Sequence, residues 1–350
     1  MLRNLSQVRR RARRRPNFNI GGVRRQALAR RAAIASVVVG AVVSGAVAAD
    51  TLAQPRQTPL ERRAADYILF REDVAAIEAE PLNSAASTRE AHKRLGAHDS
   101  YALSGGWVAY AALVAADTPE FAEALQKELR SKKRRGRRGL SGKDAFLARL
   151  AADPSYPRKL NGAKAAMKAV LEMTARDSAR FADLGATFKT QAYAMQKTKW
   201  GKQRIQPGSK RLSEAARYAT SRPAARPPTL APATDHGVTA PSLASAEPAW
   251  SPGWGQSAAP GRISEPNAQV VMDRVLNLAA RYAIDGVNEK VVEVYAKNDH
   301  SERCLSLSKL TLNQCIAATR TPYEEAFCLG EHGLNDVATC IGWVAGAGAS

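Results

Sequence analysis

Four cysteines, Cys304, Cys315, Cys328 and Cys340, stand near the carboxyl end of a 350-residue chain. Three chemistries are open to them: a metal cage, a redox pair, or structural cross-links. Zinc sites use cysteines two to four residues apart, and a thioredoxin-like redox motif leaves two residues between them. Here ten residues separate the first two and eleven the last two. Cys328 and His332 have helical spacing but amount to half a metal site at most, so neither a metal nor another cofactor is expected. An even count confined to one segment favours cross-links made in an oxidising compartment.

Other residues with chemical potential are scattered. The histidines are His92, His98, His236, His300 and His332. Glu90, His92, His98 and Asp99 cluster in the sequence without the spacing of a metalloprotease helix, and read as surface positions of a helix. Ser104-Gly105-Gly106-Trp107 imitates a nucleophile turn but lacks its second flanking glycine and a preceding strand; glycines that let two helices approach closely are the simpler reading. Glu72, Glu78 and Glu90 are lone helical glutamates of the kind a wall-lytic enzyme could use. Neither a phosphate-cradling loop nor a dinucleotide fingerprint occurs. No catalytic residue is assigned, and the chain reads as a binding protein rather than an enzyme.

The densest charge lies in SKKRRGRRGLSGK, where Lys132, Lys133, Arg134, Arg135, Arg137 and Arg138 surround a glycine. A solvated loop is the plain reading. As a site it would attract an anionic surface, at about 1 kcal/mol per basic residue near charged lipid. Nucleic acid is not the expected partner, because the run lacks interleaved aromatics and a known reading module.

What positions the cysteines is a pair of helices. Asp299-His300-Ser301-Glu302 reads as a capping box opening one helix, and Thr321-Pro322-Tyr323-Glu324 opens the next. Only a tight turn fits between them, so they run antiparallel. Cys304 and Cys315 are eleven positions apart, which at about 100° per residue brings both thiols to one face. Nested pairing, Cys304 with Cys340 and Cys315 with Cys328, then needs no sliding of one helix past the other. A twelve-residue step turns Cys340 off the face of a straight helix, so Gly330 and Gly333 are expected to break the second rod. Over about forty residues this arrangement resembles the helical hairpin of the twin-cysteine (coiled coil-helix-coiled coil-helix) proteins, with longer spacings than that family's.

The remainder reads as all-α. Thr58-Pro59-Leu60-Glu61 caps a helix whose apolar residues run from Leu60 to Ile77. Similar openings appear at Ser87-Thr88-Arg89-Glu90, Asp117-Thr118-Pro119-Glu120 and Ser141-Gly142-Lys143-Asp144. A stripe from Met167 to Met195 marks a helix of more than thirty residues. About six helices over 58–201 form a basic bundle, followed by a basic extension over 202–220. Residues 221–266 hold nine of the eighteen prolines and no periodic apolar face, the composition of a disordered linker. Residues 267–350 form the four-cysteine module.

At the amino end, residues 1–50 carry eleven arginines and one acid, and AAIASVVVGAVVSGAVAA follows the arginines. That order predicts a signal or anchor over 1–53. Net charge is +14 over 51–264 and −4 over 265–350. These features together predict a non-enzymatic, exported or membrane-anchored cell-envelope protein, in the periplasm or on the inner membrane facing it. It would bind an envelope protein or an anionic surface such as lipid headgroups or wall polymer. A wall-active hydrolase in the helical domain is the alternative, and a basic nucleic-acid-binding or mitochondrial protein the third.

Overall fold

A computed structural model describes residues 57–135, 141–222 and 266–346, with the side chains of 131–135 and 266 excluded. The expected leader, most of the expected linker, Arg137 and Arg138 lie outside the described residues. Every regular element among those described is helical, and no strand occurs among them. Six α-helices fill 58–201: α1 (Pro59–Ala79), α2 (Ala85–Gly96), α3 (Ser100–Ala116), α4 (Pro119–Arg135), α5 (Gly142–Ala152) and α6 (Ala163–Met195). After them come α7 (Gly208–Ser221), α8 (Pro266–Tyr282), α9 (Glu289–Tyr295), α10 (Asp299–Ala318), α11 (Pro322–Cys328) and α12 (Asp336–Gly342).

Local sequence sets the helix starts. Thr58 and Glu61 form a reciprocal capping box on α1, and the same glutamate accepts a 2.7 Å bond from the Tyr282 hydroxyl of α8. Ser141 caps α5 by accepting from Asp144 N. Two starts differ from the sequence reading. Ser84, not Ser87, caps α2, because Ser87 at the third helical position completes the reciprocal pair. Asn298 caps α10 one residue earlier than expected, its side-chain Oδ1 accepting from Ser301 N.

Helix α3 is the centre. From Leu103 to Leu113 every residue is buried, so neighbours surround it on all sides rather than along one stripe. Gly105 and Gly106 make that possible: a Cβ at Gly106 would lie 2.8 Å from Tyr67 N of α1, and one at Gly105 would meet Arg63 and the Ala296 carbonyl.

The helices expected as two modules share one hydrophobic core. Trp107, Phe181, Leu276, Leu305 and Val344 belong to the same buried cluster, and the described residues form one compact unit. The cause is visible in α8, where Val275, Leu276, Leu278, Ala279 and Ala280 are all within 1% of complete burial. Their directions span more than one face, so the helix needs neighbours on two sides. A module of about eighty residues has too little interior to provide both. The basic extension is likewise part of the body: it forms α7, whose Arg211 is among the largest fully buried side chains.

Candidate functional site at the cross-linked hairpin

The structure joins Cys304 to Cys340 and Cys315 to Cys328, with Cα separations of 5.4 and 5.7 Å. Helix α10 forms the first rod. The second runs α11, a π-helix over Leu329–Asn335, then α12. The expected break at Gly330 and Gly333 is therefore replaced by continuous helix of a wider kind. In an α-helix a twelve-residue step overshoots three turns by about 120°. The π-helix closes its hydrogen bonds one residue later and turns less per residue, which brings Cys340 back towards the face of Cys328.

Gly330 has a packing role instead. It meets Gly185 of α6 where the π segment crosses that helix, and a Cβ on Gly330 would lie 2.7 Å from the Gly185 carbonyl oxygen and 2.9 Å from Phe188 Cβ. Backbone cannot yield as a flexible side chain can. Gly330→Ala is expected to cost about 1–3 kcal/mol by overpacking, read as a lower urea midpoint with both disulfides intact.

Hydroxyls complete the seam between the rods. Ser301 Oγ donates to the Cys340 carbonyl at 2.7 Å and Ser308 Oγ to the His332 carbonyl at 2.7 Å. Trp343 Nε1 donates to Ser301 Oγ at 2.8 Å, and its ring lies 4.2 Å from that of His300. In the sequence Ser301 stands out only within a capping box, and Ser308 does not stand out. Their signal was there: Ser301 and Ser308 are seven residues apart and flank Cys304 on its own face.

Beneath the hairpin turn lies a buried ionic cluster. Arg211 Nη1 is 2.8 Å and His92 Nδ1 3.0 Å from the same Glu325 oxygen, with all three side chains 1% exposed. Arg211 Nη2 also donates to the carbonyls of Ile316 and Thr319 at 3.0 and 2.9 Å, in the last turn of α10, where carbonyls lack the i+4 partner of the helix interior. A second cluster surrounds Asp73 of α1, which receives Arg94 at 3.2 Å and Arg222 at 3.0 Å and faces His98 Nε2 at 2.8 Å. Helix α7 is thus tied at one end by Arg211 and, just beyond the other, by Arg222.

Comparison with known proteins finds no matching family model, curated protein or solved structure. The site is therefore read from its own geometry. His92 and His98, taken as surface residues from the sequence, are buried with different partners: His92 faces inward from α2 against Glu325, and His98 lies between α2 and α3 against Asp73. Glu78 is also buried, and both its oxygens are held by Arg180 at 3.1 and 2.7 Å. Lys132, Lys133, Arg134 and Arg135 end α4. His332 Nδ1 pairs with Asp336 Oδ2 at 2.9 Å, and Cys328 is consumed by its disulfide. Among the described residues no group of three potential ligands converges on a metal position, and no helix is long and apolar enough to cross a membrane.

Titration of these groups gives opposing slopes. Burial lowers the His98 pKa from 6.5, with the Arg222 charge adding to it against the Asp73 hydrogen bond. The unfolded chain then binds the proton more readily than the folded one, so this component of stability is lost as pH falls below about 6.5. Burial raises Glu78 to about 7 from 4.5. Here the folded state binds the proton more readily, and stability falls as pH rises from 4.5 through 7. The His98→Gln variant is expected to show a shallower acid-side loss in urea unfolding free energy below pH 6.5, while retaining the decline between pH 4.5 and 7. An unchanged acid limb would show that His98 does not govern it.

Proposed function

We propose that this chain is a non-enzymatic protein of the cell envelope, exported to or anchored facing the periplasm, whose cross-linked helical body presents a binding surface. The observation that carries the reading is the pair of nested disulfides closing one hairpin, with Cys328 and Cys340 each 1% exposed. Bonds of this kind persist where thiols are oxidised and are rare in reducing cytoplasm. The Arg-rich segment followed by eighteen small or apolar residues supports the same compartment. Binding rather than catalysis is supported by the use of the buried carboxylates: Asp73, Glu78, Asp177 and Glu325 each face an arginine within the fold. These contacts hold helices together.

Mass spectrometry of protein isolated under rapid alkylation tests this reading. The expected result is no labelled cysteine before reduction and four after it, with the protein in the membrane or periplasmic fraction. Four labelled thiols in freshly isolated native protein would overturn the compartment, and with it the assignment.

A further inference from the structure

Thirty residues, 184–213, carry seven basic side chains and no acid. Part of this stretch wraps the turn of the cross-linked hairpin: Ile205 N donates to the Arg320 carbonyl and Tyr323 N to the Gly201 carbonyl, at 3.0 and 3.5 Å. Those two bonds bring Lys197, Lys199, Lys202, Arg204 and Arg320 to one end of the fold. All five are exposed, and none forms a salt bridge among the described residues. By contrast, the buried and half-buried arginines among the described residues are mostly spent on carboxylates.

Beside these charges opens an apolar groove of about 430 Å³, walled by Tyr193, Ala318, Tyr323, Phe327 and the Cys315–Cys328 bridge. Tyr193 is 59% exposed and meets Phe327 edge to face, with ring centroids 6.1 Å apart. Trp200 lies half-buried between the lysines. Glu324, the acid in the groove wall, has an oxygen engaged by the backbone N–H groups of Arg320 and Thr321 at 2.6 and 3.0 Å. It is held as a helix cap.

We infer that this end of the molecule docks on an anionic phospholipid bilayer, with Tyr193 and the groove at the depth of the glycerol backbone and the five basic side chains on headgroup phosphates. Amphipathic aromatic rings settle at that depth, and basic residues add attraction to negatively charged headgroups. The unpaired cations are exposed, four on the loop between α6 and α7 and Arg320 on the hairpin turn, which suits a fluid array of phosphates; a carboxylate-bearing protein would be met by fixed forks. The inference rests on the envelope reading only in placing a membrane within reach of the protein. Lipid affinity is measured in vitro, so its failure and the failure of the cellular assignment are separate results.

The test uses the full chain with both disulfides intact and a photoactivatable phosphatidylglycerol. Vesicles are of phosphatidylcholine alone or mixed with phosphatidylglycerol, and labelled peptides are located by mass spectrometry. Labelling is expected on peptides containing Tyr193 and Tyr323–Phe327, increasing with the anionic fraction and decreasing with salt. Each basic residue is expected to contribute roughly fivefold to partitioning. The triple variant Lys197→Gln, Lys199→Gln, Lys202→Gln should therefore lose about a hundredfold at these peptides, while its near-ultraviolet circular dichroism stays that of the parent. Lys127→Gln with Lys164→Gln, exposed on α4 and at the opposite end of α6 from these lysines, is the comparison variant and should leave labelling there unchanged. Labelling confined to residues 1–53, equal labelling from neutral vesicles, or indifference to the triple variant would overturn the inference. So would labelling of these peptides by a photoreactive acidic peptide, or by a second copy of the chain, in the absence of lipid labelling.

Discussion

Reducing both disulfides is expected to lower the unfolding free energy by about 6 kcal/mol, most of what a single helical unit commonly possesses. The outer bond spans 36 residues and the inner 13. Loop-closure entropy alone gives about 4 and about 3 kcal/mol respectively, and the nesting makes their sum smaller than that of independent bonds. The two pairs should also differ in how far their loss spreads. Around the inner pair, Arg211 and Glu324 hold the turn by other means. The outer pair fastens the far ends of the rods, where Ser301 and Trp343 add neutral hydrogen bonds. Urea unfolding of Cys315→Ser with Cys328→Ser, set against Cys304→Ser with Cys340→Ser, should show the larger loss for the outer pair. Equal midpoints for both variants and the parent would show that the cross-links contribute little.

Much of this hairpin is legible in the sequence because its determinants are local. A capping box, a proline and a two-residue turn fix antiparallel rods, and helical rotation fixes which cysteines share a face. The offset at Cys340 is legible too, as a twelve-residue step that a straight α-helix cannot serve. Its resolution is not. Breaking the rod and widening it both satisfy the cysteines, and the choice falls to Gly330, whose close approach to Gly185 of α6 depends on a helix more than 130 positions away. Continuous helix keeps that contact.

The division into two modules followed from reading 221–266 as a tether, which says nothing about whether the bodies it joins pack together. Evidence for packing was present in the runs WVAYAALVAA of α3 and VLNLAA of α8. The first is apolar around the whole helix, and the second has apolar residues on more than one side, so each needs neighbours on more than one side. The buried ion clusters were less accessible. His92 looks like a surface residue because Arg89, Lys93 and Arg94 accompany it, and only the tertiary fold brings Glu325 to its inward side. The groove and basic end likewise combine residues near 193–204 with residues near 315–328, so no single window displays both.

Arg211 is expected to be the most consequential single side chain among those described. Its guanidinium reaches Glu325, two carbonyls at the end of α10, the Thr319 hydroxyl at 2.8 Å and, through Nε, the Gln206 carbonyl at 3.0 Å. In Arg211→Met the apolar stem is approximately replaced, but Glu325 loses the guanidinium and the Thr319 carbonyl loses its Arg211 donor where water does not reach. Breaking a buried pair in this way costs about 3–5 kcal/mol. Lysine retains the charge without the planar fork that serves several acceptors at once, so Arg211→Lys should recover only part of that loss. Removing both members should be gentler than removing Arg211 alone: with Glu325→Leu added, no carboxylate remains to be compensated. Urea unfolding of the four-member cycle measures this coupling. A parent-like Arg211→Met would mean that the turn is held without Arg211, by Cys315–Cys328, the Glu324 cap and the backbone bonds from Ile205 and to Gly201. The cluster would then be a consequence of the packing of α7 and not a cause of it.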